Sequence, residues 1–221
     1  MRMSPEDRKR SLLLKAVEYF SEEGFDGGTR GLARQMGITQ PLIYRYFPSK
    51  DDLINEVYRL VYVSQWQDEW GLILRDRNTP LRNRLLAFYA SYTRAVFRRP
   101  WMRIFFFSGL RGLDINKRYM QRVIDNLLIP IAEEVRAHLG IESDKPITEA
   151  ELDLVLMMHG AIFYQGIRSH IYRIARSSDH ADLVRIGVDM MLCVAPREVP
   201  LAIAGRPADQ PIANGPSAPL Q

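Results

Sequence analysis

Gly37 and Pro48 leave the stretch from Thr29 to Lys50 room for two short helices and nothing longer. Thr29 is placed to cap the first, which ends near Met36, where Gly37 supplies a residue free to adopt the left-handed backbone of a tight turn. Thr39 is placed to cap the second. Pro41 falls in its first turn, where a missing N–H breaks no intrahelical bond, whereas Pro48 drives Phe47 out of helical geometry and stops the helix. Two helices of this length about a tight turn form the skeleton of a helix-turn-helix, whose second helix enters the major groove of DNA.

Residue types support that skeleton. Leu32, Ala33, Met36, Ile38 and Ile43 suit packing of the pair onto a preceding helix, which leaves Gln40, Tyr44, Arg45 and Tyr46 for an outer surface. Residues 1–60 carry ten Lys/Arg against nine Asp/Glu, yet residues 27–50 hold Arg30, Arg34, Arg45 and Lys50 with no acid. A local basic surface is what phosphate contacts require. The formal charge of the whole chain, +4, is merely compatible with a polyanionic partner.

The run from Thr29 to Leu53 resembles the DNA-binding segment of the TetR family of transcriptional regulators. Thr29, Ala33, Gly37, Tyr44, Phe47, Lys50 and Leu53 match its pattern without gaps, and Leu32, Ile38, Thr39 and Ile43 are conservative changes. Phe20-Ser-Glu-Glu-Gly24-Phe25 is similar to the family's end of helix one, while Tyr46 stands where His is usual. The resemblance covers about the first 60 residues. It implies that Tyr44, Tyr46 and Lys50 contact phosphates, with Thr29 and Thr39 at the helix starts, and that Gln40 and Pro41 face bases, Gln being able to pair with adenine and Pro to touch a thymine methyl; the local basic surface adds Arg30 and Arg45 to the expected interface.

The whole chain reads as all-α. Ser4 and Pro5 open a helix that ends at Gly24, and Ser49 caps a fourth helix through Leu53, Val57 and Leu60. Further helices are expected from Thr79-Pro80 to about Arg98, from about Asn116 to Leu139 with a kink at Pro130 that would make room for a ligand, from Thr148 to about Ile174, and over His180–Ala195. No stretch alternates as a strand does. Six of 13 prolines fall after residue 195, so residues 196–221 read as a disordered tail. The expected order is thus a three-helix DNA-binding bundle with its helix-turn-helix in residues 1–60, a larger helical ligand-binding and dimerisation domain in 61–195, and the tail.

A two-fold operator needs two copies of the reading module, with centres about 34 Å or a multiple apart. By the family layout, the last two helices form the homodimer interface through Val155, Ile162, Phe163, Gly166, His170, Val184, Val188 and Met191. Periodicity alone fits a filled monomer core equally. Tyr89, Tyr92, Trp101, Phe105, His159 and Tyr164 are candidates for a small-molecule effector pocket, although for each one taken singly core packing is the better reading. Trp66 and Trp70 are expected to carry the signal toward the fourth helix.

His159 and His170 lie three helical turns apart, about 16 Å, and cannot share a metal within one chain. With no Walker loop, Gly-x-Gly-x-x-Gly, nucleophile elbow or His-Glu-x-x-His, neither enzyme activity nor a cofactor is expected. Apolar runs such as 104–107 and 154–158 fall far short of the roughly 18 needed to span a bilayer, the start lacks a secretory signal, and the lone Cys193 excludes an intrachain disulfide. A cytoplasmic regulator, in the usual case a repressor released by its effector, is the expectation. A same-fold DNA binder without an effector and an all-helical enzyme or carrier are the alternatives.

Overall fold

The computed structural model describes residues 4–174 and 179–205, and every regular element among them is helical. Helix α1 (Pro5–Glu23) begins as its sequence dictates, with the Ser4 hydroxyl accepting from the Asp7 N–H and Pro5 in the first turn. Gly24, at φ +71°, ends it. α2 (Gly28–Gln35) and α3 (Gln40–Tyr46) follow, separated by Gly37 at φ +62°. α4 (Lys50–Tyr58) is capped by the Ser49 hydroxyl on the Asp52 N–H and runs on through a π-helical turn, Arg59–Val63. Leu12, Ala16, Phe20, Leu32, Ala33, Ile43, Phe47, Leu53 and Val57 meet at the centre of these four helices.

α5 (Glu69–Arg75), α6 (Leu81–Val96), α7 (Arg99–Leu110), α8 (Ile115–Val123), α9 (Ile129–His138), α10 (Glu149–Gly166) and α11 (His180–Ala204) make the larger unit. α5 was not evident in the sequence, and the aromatic segment after Pro100 is a full helix with that proline in its first turn. α8 and α9 are joined by a π-helical turn, Ile124–Leu128, in which the Ile129 N–H reaches back five residues to the Ile124 carbonyl. This shift of register absorbs the N–H missing at Pro130, which is itself buried. α10 starts with a capping box: Thr148 and Glu151 each satisfy the other's backbone N–H. A third π-helical turn, Ile167–Ile171, follows α10.

The last helix runs beyond its expected end. α11 does not stop at Ala195 but continues to Ala204 through Pro196 and Pro200, with Ala195 and Val199 buried. Both prolines lie on the exposed side, where the carbonyls that lose an intrahelical donor can be solvated, so apolar burial on the opposite side carries the helix across them. The remainder of the expected tail, 206–221, lies outside the described residues.

Charged groups are buried at one end of this unit. Glu134 takes Arg84 at 2.7 Å and Arg77 at 2.9 Å, and the Arg84 guanidinium also donates to the Leu74 carbonyl. Arg136 grips Glu151 at 2.5 and 2.6 Å and donates to the carbonyls of Lys145 and Pro146, tying the α9–α10 loop to the start of α10.

Candidate nucleic-acid interface

α2 and α3 are locked to α1 by a close fit. The Tyr19 hydroxyl sits where a side chain at Gly27 or Gly31 would stand: a Cβ there would lie 1.8 or 2.1 Å from the phenolic oxygen. Glycine at both positions lets α2 settle on α1, and stacking of Phe20 on Phe25 at 4.8 Å fixes the connecting turn.

The capping roles expected of the two threonines are not what the structure builds. Helix α2 begins two residues earlier than a Thr29 cap would start it, at Gly28 with Gly27 as its cap, so Thr29 lies inside the first turn and is only 4% exposed. Its hydroxyl instead joins α2 to α3: Gln40 Nε2 donates to Thr29 Oγ1 at 2.8 Å, and Tyr44 Oη lies 3.0 Å from the same atom. Thr39 does precede α3, but its hydroxyl makes no capping bond and is exposed.

Around this link stand Arg30, Thr39, Pro41, Tyr44, Arg45 and Lys50, all exposed, with Tyr44 at 37%. Tyr46 is half-buried and packs against the core. Gln40 is half-buried and held to Thr29. Lys50 opens α4, where a cation opposes the positive end of the helix dipole, and its Nζ donates to the Phe25 carbonyl at 3.3 Å. The bond poises the amine beside the turn into α2.

Helix α7 joins this module to the larger unit. Arg99 pairs with Glu22 at 2.8 Å, Arg103 donates to the carbonyls of Ser21 and Glu22, and Arg111 pairs with Asp26. The Phe107 ring covers Gly24, and Arg103 lies over that ring. From the other side, Arg118 of α8 donates to Asn55 Oδ1 at 3.1 Å and covers the Tyr58 ring of α4. The expected link through Trp66 and Trp70 is an edge-to-face pair that continues to Tyr119 and Tyr92.

Five of the six effector-pocket candidates converge. Tyr89 Oη lies 3.3 Å from His159 Nδ1, Trp101 stacks on Phe105, and Tyr92 Oη lies 3.4 Å from the hydroxyl of Tyr119. Tyr119 and Tyr62, which sequence reasoning passed over, belong to the same group, and Phe163 joins it from α10. Tyr164 does not; it is 47% exposed and packs on Tyr172. Burial holds His159 down to about 4 and pushes the phenols of Tyr89, Tyr92 and Tyr119 up, so the cluster is uncharged near neutrality.

The apolar residues expected at an interface lie at several places within the protomer. Val155, Ile162, Val184, Val188 and Met191 are buried within the protomer, Phe163 and Gly166 turn toward α7 and Phe97, and His170 is half-buried. Helix α10 is apolar nearly all round, so its period could not say which side faces inward. The outer side carries Met157, 75% exposed, and Met190, 65% exposed, flanking a groove of about 430 Å³ with Leu154, Ala161, Cys193 and Val194.

An acid-free helix-turn-helix clamped to a larger all-helical unit defines a DNA-binding regulator. Residues 12–57 match the model of the bacterial regulatory proteins of the tetR family. Over 178 residues the chain is 32% identical to the HTH-type transcriptional repressor NicS of Pseudomonas putida, spanning 76% of this chain and 81% of that protein. The chain belongs to the TetR family of helix-turn-helix transcriptional regulators: dimeric, ligand-responsive DNA-binding proteins, not enzymes. The fold agrees with a TetR-like regulator from Rhodococcus sp. RHA1 (TM-score 0.59, 19% identity, 93% of this chain and 100% of that one). It agrees equally with a TetR-family regulator from Mesorhizobium loti (TM-score 0.59, 14% identity, 87% and 98%). Among the described residues, no helix is long and apolar enough to cross a membrane, and no cluster of three or more His, Cys, Asp or Glu could hold a metal.

Proposed function

We propose that this regulator is a repressor that binds a palindromic operator as a homodimer and is released by a small-molecule effector. The observation that carries the reading is the acid-free stretch 27–50, whose exposed Arg30, Thr39, Pro41, Tyr44, Arg45 and Lys50 surround a helix α3 braced from behind. Phosphate contacts by Arg30, Tyr44, Arg45 and Lys50 set the register, and Pro41 and Thr39 lie nearest the base edges. Tyr46 serves mainly to seat α3.

The second copy packs on the outer side of α10 and α11, through Met157 and Met190, to make a four-helix contact about a two-fold axis. An effector enters among Tyr89, Tyr92, Trp101, Phe105 and His159. Because α7 carries Trp101 and Phe105 on one side and holds α1 with the other, an effector that prefers a shifted α7 changes the spacing of the two recognition helices.

Selection of bound duplexes from a randomised library tests the reading, together with sedimentation of the purified chain. The expected product is a two-fold symmetric site bound by a dimer. Met157→Arg should yield a monomer that no longer holds that site. A wild-type chain that binds no duplex even at low salt refutes the proposal.

A further inference from the structure

The link between α2 and α3 assigns Gln40 a task other than base reading. From the two bonds at Thr29 Oγ1 we infer that Gln40 and Thr29 are positioning residues that turn the Tyr44 hydroxyl proton outward, toward a DNA phosphate. The inference rests on the DNA-binding reading and refines it.

A threonine hydroxyl has one proton and accepts on its lone pairs. Gln40 Nε2 donates to Thr29 Oγ1 at 2.8 Å, so one lone pair is occupied. Thr29 is almost wholly buried, and the hydroxyl of Tyr44, 3.0 Å away, is the other partner its side chain meets. A buried hydroxyl proton aimed at nothing costs free energy, so Thr29 donates to Tyr44 Oη. The phenol then accepts on its inner side, and its own proton points to the exposed side. Donation runs from the Gln40 amide through Thr29 to Tyr44, and each bond polarises the next, which strengthens the terminal O–H as a donor to an anionic oxygen. A Gln40 side chain spent in this way has one amide hydrogen and its carbonyl left, and its orientation is set by α2, not by a base.

The chain also says what kind of contact results. Tyr44 is neutral, so its phosphate bond adds affinity without displacing a counterion and carries no base preference. Lys50 and Arg45, by contrast, act through charge.

The test is a binding titration on the selected operator and on an arbitrary duplex, each across a range of salt concentrations. Tyr44→Phe should weaken binding by about tenfold per recognition helix, and so roughly a hundredfold for a dimer, equally on both duplexes and with the salt slope unchanged. Thr29→Val, which keeps the shape and removes the hydroxyl, should give nearly the same loss, and Thr29→Ser should restore most of it. Gln40→Ala should leave the ranking of sequences from the randomised library unaltered, and should add little once Tyr44 is already Phe.

Three results overturn the inference while leaving the regulator reading intact: Tyr44→Phe binding as wild type, Thr29→Ser failing to rescue, or Gln40→Ala reordering the preferred bases. Loss of all DNA binding by wild type would instead remove the reading beneath it. Because Tyr44 is exposed, its Phe variant keeps the fold and decides the matter even if Thr29→Val does not fold.

Discussion

The DNA-reading module and the helical unit behind it treat polar side chains in opposite ways. Among the described residues of the module, the buried polar side chains are Ser21 and Thr29, and every charge is outside the core. The larger unit buries Arg84, Glu134, Arg136, Glu151 and His159. The module is held by shape, with Tyr19 seated against Gly27 and Gly31, and Arg30, Arg34 and Arg45 of its helix-turn-helix stay at the surface. The larger unit pairs its buried charges with one another, Arg84 with Glu134 and Arg136 with Glu151, and leaves an uncharged aromatic centre. One surface is thus ready for a polyanion, while the aromatic cluster of the other unit carries no charge near neutrality.

The contrast is broken most severely at Glu134. Glu134→Ala leaves Arg84 buried without its carboxylate and should cost about 3–5 kcal/mol in urea unfolding. Burial pushes the Glu134 carboxyl up, but the guanidiniums of Arg77 and Arg84 outweigh it and hold the carboxyl below the ordinary glutamate value. Its contribution is therefore present above about pH 4.3 and is lost as pH falls through the lower folded value.

His159 sharpens the comparison. Its folded state stays neutral down to about pH 4, whereas the unfolded chain takes up a proton near 6.5. Stability should fall by about 3 kcal/mol as pH drops from 6.5 to 4, then level off for this group. His159→Leu should remove that slope from a pH series of denaturation midpoints, and an unchanged slope would show that the ring is not the source.

Smaller effects belong to the module. Ser49→Ala removes the hydroxyl that caps α4 and should cost about 1 kcal/mol in thermal unfolding. Lys50→Ala should change stability least of all, yet lower the salt slope of DNA binding by about one on every sequence. A salt slope equal to wild type would return Lys50 to a purely structural role at the Phe25 carbonyl.

How far the sequence could be read follows the same division. Ser4, Gly24, Gly37, Pro41, Pro48 and Ser49 act locally, through caps and backbone angles, and the structure places each where those rules put it. Thr29 has the local look of a cap, but its role depends on contacts 11 and 15 residues away, which local rules do not contain. Helix α11 ran past two prolines because burial of Val199 outweighed a strong local stop signal. The side of α10 that faces a second copy is not legible for a related reason: α10 has apolar residues on both sides, and only its packing on α9 and α11 shows which of them the protomer buries.

The grip of α7 on α1 has a further consequence. Arg103 holds the main-chain oxygens of Ser21 and Glu22. A peptide oxygen is the same whichever side chain its residue carries, so this clasp is blind to the sequence of the helix it holds. Substitutions elsewhere in the DNA-facing module can accumulate without loosening this clasp, provided the backbone of that last turn survives, whereas Glu22, Asp26 and Asn55 are held by their side chains. A grafted module that keeps this backbone together with Glu22, Gly24, Asp26 and Asn55 should be received as readily as the native one, and a regulator mounted in this way can change its operator without rebuilding its sensor.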